Sequence, residues 1–148
     1  CIPGLRTGFL TADAGLAEKI MAWYQPWSVH SLAQKVIEDI FDHPDDILPF
    51  YRKTRAYIQS EKQFFFDQLG QIHGVTLFET STYFVLARLS PPLCSEAFCR
   101  KIGQGRVLIR DCSNFDGLGN AYVRFSLKTR TENQMLADLV KEVVNCYV

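Results

Sequence analysis

The sequence predicts a mixed fold. An α+β unit fills its second half, with a largely antiparallel sheet covered by helices, and a mainly helical stretch comes before it. Three observations lead there. A long amphipathic segment closes at Gly70. Short alternating apolar segments separated by turn residues follow from Val75. A last segment, Thr131 to Tyr147, carries Leu136, Leu139, Val140, Val143 and Val144 at helical spacing.

In chain order, Leu5 to Thr11 reads as a strand, preceded by Pro3-Gly4 and interrupted by Gly8. Asp13 caps a helix to about Tyr24, with Leu16, Ile20 and Trp23 on one stripe. Gln25-Pro26-Trp27 breaks it. Ser28 caps a second helix to about Phe41, with Leu32, Val36 and Ile40 as its apolar face. A third helix is expected from Asp46 to Leu69, with Pro49 falling in its first turn. Its stripe takes in Leu48, Tyr51, the stems of Arg55 and Lys62, Ile58, Phe65 and Leu69. At about 1.5 Å per residue it spans roughly 35 Å. Phe64-Phe65-Phe66 exceeds one face, so apolar neighbours are expected on two sides.

Val75 to Phe78 reads as a short strand and Thr80 to Leu89 as a central one, apolar on both faces. Pro91-Pro92 stops it, and Ser95 to Ile102 reads as a helix. Val107 to Asp111 and Ala121 to Leu127 then alternate as strands around the turn-rich Ser113–Asn120. A hairpin centred on Gly117 sets Val107 opposite Leu127 and Ile109 opposite Phe125, with all four on one face. On the other face it places Arg110 directly opposite Arg124. Like charges opposed across a ladder are destabilising. Such a pair suits an anion, and guanidinium forks suit carboxylate or phosphate. Asp111 falls on the opposite face and reads as structural.

Length and composition narrow the field. The chain has 148 residues and a formal net charge of zero, so no overall field points to nucleic acid or an anionic membrane. No apolar run is long enough to cross a bilayer. The five cysteines are scattered, without a Cys-x-x-Cys, which reads as free thiols in a reducing cytoplasm. The three histidines have no ligand spacing, so no metal site is expected. The opening lacks Met and runs straight into an apolar segment, which leads to the expectation of a piece of a longer protein. The first half, with one strand and two or three helices, has too little for its own core. It reads as the end of a larger domain.

Cys1-Ile-Pro-Gly-Leu-Arg-Thr-Gly-Phe9 resembles the segment after the cofactor lysine in fold type I pyridoxal-phosphate enzymes, an α/β transferase-like fold. Pro26-Trp-Ser-Val29 with Leu32-Ala33, Leu108-Ile-Arg-Asp-Cys-Ser-Asn-Phe115 with Gly117-Leu118, and Tyr122-Val-Arg-Phe125 carry the resemblance further. Together they are similar to the threonine-phosphate decarboxylases of the cobalamin pathway, relatives of the histidinol-phosphate aminotransferases. The resemblance implies pyridoxal 5'-phosphate as cofactor and a Schiff-base lysine upstream of Cys1. It implies residues 1–45 as the end of the large cofactor domain, 46–74 as a linking helix and 75–148 as the small domain. It also implies a homodimer and a small phosphorylated amino acid as substrate, with no nucleic-acid or membrane partner.

The roles it implies are cofactor phosphate for Arg6, substrate α-carboxylate for Arg124 and substrate phosphate for Arg110. Thr82 and Tyr83 stand where relatives have Asn before an aromatic residue, and Tyr83 reads as a packed strand tyrosine. His30 stands where relatives have Asn and reads as a solvated or capping side chain. The implied reaction is decarboxylation of O-phospho-L-threonine to aminopropanol phosphate, with the chain itself lacking the lysine. An aminotransferase of the same fold is the second reading. A non-catalytic interaction module is the third.

Overall fold

The computed structural model describes residues 3 to 147. They fall into two compact units that divide between Tyr51 and Arg52.

In the first unit a single 3₁₀ turn, Pro3–Leu5, precedes irregular backbone to Asp13. The strand expected over Leu5 to Thr11 is not formed. Arg6 has φ 53°, in the left-handed region, which breaks an extended run, and among the described residues no neighbouring strand takes up its ladder bonds. Helix α1 (Ala14–Met21) is capped as expected, with Asp13 accepting from Leu16 N–H at 3.1 Å. Helix α2 (Ser31–Asp42) starts two residues later than the Ser28 cap would place it. Trp27, with φ 68°, keeps the chain out of helix, and His30 Nδ1 accepts from Ala33 N–H at 3.1 Å instead. His30 is thus a cap. Ala33 is the one buried residue of this unit among the described residues, and Trp23 and Trp27 are 87% and 95% exposed. Phe9 packs edge-on against Phe41 at 6.5 Å.

Helix α3 (Pro44–Leu69) begins with proline at its first position, where the missing N–H costs nothing. Pro49 therefore lies inside the helix rather than in its first turn. Of the expected stripe, Phe65 and Leu69 are buried and Ile58 and Lys62 half-buried, while Leu48, Tyr51 and Arg55 are exposed.

The second unit takes in α3 from Arg52 onward, then β1 (Val75–Leu77), β2 (Phe84–Leu89), α4 (Ser95–Gln104), β3 (Arg110–Asp111), β4 (Tyr122–Ser126) and α5 (Arg130–Asn145). Gly74, at φ 92°, makes the turn into β1 that L side chains rarely adopt. The four strands form one sheet in the order β1-β2-β4-β3, antiparallel throughout, with β2 central as its two-sided apolar pattern predicts. All four strands are shorter than expected. Thr80 to Tyr83 turn back on themselves, with Thr80 Oγ1 accepting from Thr82 N–H at 3.1 Å. Tyr83 consequently lies outside β2 and is 45% exposed, its ring against Phe84 rather than in the core. Val107 to Ile109 run beside β4 without regular pairing, although Val107 and Ile109 pack against the core.

One sheet face carries Val75, Val85, Ala87, Leu89, Val123 and Phe125. It packs on Phe65 and Leu69 of α3, Phe98 and Ile102 of α4, and Leu136, Val140 and Val144 of α5. Phe65 meets Phe125 edge-on at 5.4 Å. Thr129 and Glu132 close a reciprocal capping box at the start of α5. Glu61 adds a polar brace that sequence reasoning missed. It is 3% exposed, accepts from Arg130 Nε at 3.0 and 3.1 Å and from Asn133 Nδ2 at 2.8 Å, and forms an ion pair with Arg130 Nη2 at 2.9 Å. Burial raises the Glu61 pKa. The hydrogen bonds from Arg130 and Asn133 and the Arg130 charge outweigh that, and the carboxyl ends below its ordinary value.

Candidate functional site

The β3–β4 ladder pairs Arg110 with Arg124 and Asp111 with Val123. That is the register the alternation predicts. Side chains alternate across a strand, so Arg110 and Arg124 share a face and Asp111 takes the other. On β2, Leu86 lies opposite Arg124 and Phe84 opposite Ser126. Phe84 and Leu86 therefore share the arginine face, the one turned away from the core. No carboxylate forms an ion pair with Arg110 or Arg124 among the described residues.

Arg124 is half-buried. Its guanidinium carbon sits over the Phe84 ring, 4.1 Å from the centroid, and its Nε is buried without a hydrogen-bond partner. An orphaned donor of this kind costs free energy unless a ligand takes it up. Arg110 is exposed. It donates to Asn114 Oδ1 at 3.1 Å and lies 5.3 Å from the Phe115 centroid. Asp111 Oδ1 accepts from Ser113 N–H at 2.8 Å and turns the chain after β3. This bond is the main reason its pKa is lowered. The positive field of the pair reaches Cys112. Burial pushes that thiol up, and the Arg124 and Arg110 charges pull the other way without overcoming it.

The arrangement offers two guanidiniums side by side, neither neutralised. A small molecule with two separate anionic groups would satisfy both. Sequence reasoning brought the two arginines together but missed Phe84, Asn114 and Phe115 as their supports. Tyr122-Val-Arg-Phe125 and Arg110-Asp-Cys-Ser-Asn-Phe115 hold part of that signal. The Phe84 contact arises only from the β2–β4 register.

Arg6, in the first unit, is exposed and forms no ion pair among the described residues. A Cβ at Gly4 or Gly8 would meet nothing within 4 Å, so the backbone on both sides of Arg6 is open. A non-glycine residue at φ 53° is uncommon and clusters at functional positions. An unpaired fork flanked by open glycine backbone fits a phosphate group. Four cysteines are free among the described residues, and none of those residues form a cluster able to hold a metal ion. No helix there is long and apolar enough to cross a membrane.

Comparison with known proteins adds an independent line. The family model for aminotransferase class I and II matches residues 1–141. Threonine-phosphate decarboxylase of Salmonella typhimurium is 27% identical over 145 residues, covering 97% of this chain and 38% of that protein. The solved L-threonine-O-3-phosphate decarboxylase of Porphyromonas gingivalis superposes with TM-score 0.76 at 29% identity, over 97% of this chain and 43% of that one. The histidinol-phosphate aminotransferase of Clostridium acetobutylicum gives TM-score 0.78 at 26% identity, over 99% and 43%. The chain thus spans well under half the length of these relatives.

Proposed function

The chain belongs to the aminotransferase class I and II family, pyridoxal-phosphate enzymes of fold type I, and on that premise we propose that it is part of a decarboxylase acting on O-phospho-L-threonine. The observation that carries this reading is the unneutralised pair Arg110 and Arg124 on the open sheet face. The proposed substrate has a carboxylate and a phosphate on one short carbon chain, one anion for each fork. When bound, pyridoxal phosphate supplies the electron sink for the pair left by the broken bond.

In this reading Arg124 holds the α-carboxylate in its fork. It would thereby orient the bonds at the α-carbon so that the one to the carboxylate is the one broken. Arg110 takes the substrate phosphate, and Arg6 would hold the cofactor's own phosphate. The lysine that anchors the cofactor would lie upstream of Cys1, and the working form would be a homodimer. For Arg6 the test is a cofactor titration of the full-length protein. Arg6→Ala should weaken binding by about 1.5–3 kcal/mol, the value of a charge-assisted contact. Unchanged affinity would remove that role.

The reaction itself is tested by product analysis. Full-length protein, pyridoxal phosphate and O-phospho-L-threonine should release carbon dioxide and aminopropanol phosphate in equal amounts. A keto product, formed only when a keto acid is added, would make the protein an aminotransferase instead, the activity named for the Clostridium structure.

A further inference from the structure

We propose that Phe84 is a positioning residue for substrate recognition, holding the Arg124 guanidinium open to a carboxylate. The proposal rests on the reading of Arg124 given above. Phe84 stands diagonal to Arg124 on the same face, since Phe84 pairs with Ser126 and Leu86 with Arg124. The guanidinium carbon lies 4.1 Å from the ring centroid. No carboxylate in the described residues competes for the fork, and its buried Nε has no partner.

The chemistry of the contact matters. A carboxylate neighbour would orient an arginine by consuming its N–H donors. An aromatic face orients it through the guanidinium carbon and takes none of them. The ring consumes none of the N–H donors, and only the Nε–H is itself buried. Phe84 is itself held in place. Thr82 Oγ1 accepts from its N–H at 3.1 Å and donates to its carbonyl at 3.4 Å. The Tyr83 ring packs on it with centroids 4.1 Å apart. Leu127 N–H donates to the Tyr83 carbonyl at 2.8 Å, tying this corner to the end of β4.

The test uses full-length protein with pyridoxal phosphate and two probes, O-phospho-L-threonine and aminopropanol phosphate. They share the phosphate and amine, and only the first has a carboxylate. Phe84→Leu should weaken O-phospho-L-threonine about three- to thirtyfold, the range of a part-desolvated cation–π contact, and leave aminopropanol phosphate within about twofold. Phe84→Tyr, which keeps the ring, should restore the first probe. Equal weakening of both probes, or a Tyr variant no better than Leu, overturns the proposal. If Phe84→Leu fails to fold, Phe84→Met replaces it with the same expected and overturning results. Arg124→Ala is measured alongside. If it too weakens both probes equally, the carboxylate role of Arg124 fails. If it is selective while Phe84→Leu is not, only the Phe84 proposal fails.

Discussion

The two opposed arginines are held in contrasting ways. Arg124 belongs to a five-residue strand paired on both sides, between Val123 and Phe125, which are fully buried. Arg110 belongs to a two-residue edge strand that runs straight into a turn-rich loop, and its contacts are Asn114 and Phe115 within that loop. A ladder fixes one fork to the core, whereas a loop lets the other follow its own sequence. Under the proposed assignment, the fixed fork meets the carboxylate that every α-amino acid carries. The loop-held fork meets the side-chain phosphate, the part that differs between substrates. Binding groups on loops over a rigid scaffold are the usual arrangement for specificity.

The sharpest way to break this contrast is in the ladder. Phe125→Ala empties a fully buried site against Phe65, and should cost about 3–5 kcal/mol in urea unfolding. A loss under about 1 kcal/mol would mean that β4 is no firmer than the loop. A smaller effect is expected at the brace beyond β4. Glu61→Gln replaces an acceptor of three hydrogen bonds, two from Arg130 Nε and one from Asn133, with a group that brings its own donors, for about 1.5–3 kcal/mol.

The pH dependence of the Glu61 effect has a definite sign. The folded-state pKa of Glu61 lies below its unfolded value of about 4.3. Its stabilisation is therefore complete above that value and lost as pH falls through the folded pKa. Wild-type and Glu61→Gln midpoints should converge on acidification below about pH 4. A gap that stays constant would remove the ionised brace. The smallest effect is expected in the loop. Asp111→Ala loses one bond to Ser113 N–H, about 1 kcal/mol, and should disturb phosphate recognition more than stability. An equal disturbance of carboxylate recognition would blur the contrast.

Much of this site was legible because sheet alternation is strict. Val107 and Ile109 against Phe125 and Leu127 leave one register that buries all four, and that register opposes the arginines. Where the backbone leaves regular structure, the residues said less. Leu5 to Thr11 has the composition of a strand, but strand formation needs a partner that local sequence does not reveal. The start of α2 turned on Trp27 adopting positive φ, which no composition rule gives to a tryptophan. Glu61 reads as a solvated helix residue because its partner Arg130 lies 69 positions away. Phe84 reads as an ordinary strand aromatic for the same reason, since only the packed sheet sets it against Arg124.

The central claim is that Arg110 reads the phosphate and Arg124 the carboxylate. The direct test is kcat/KM of the full-length enzyme for O-phospho-L-threonine and for L-threonine, in wild type and Arg110→Ala. The expected result is a loss of roughly ten- to hundredfold for the phosphorylated substrate, with threonine nearly unchanged, since only the former gives up a charge-assisted contact. An equal loss for both substrates would contradict the account, leaving Arg110 a structural residue or a second carboxylate contact.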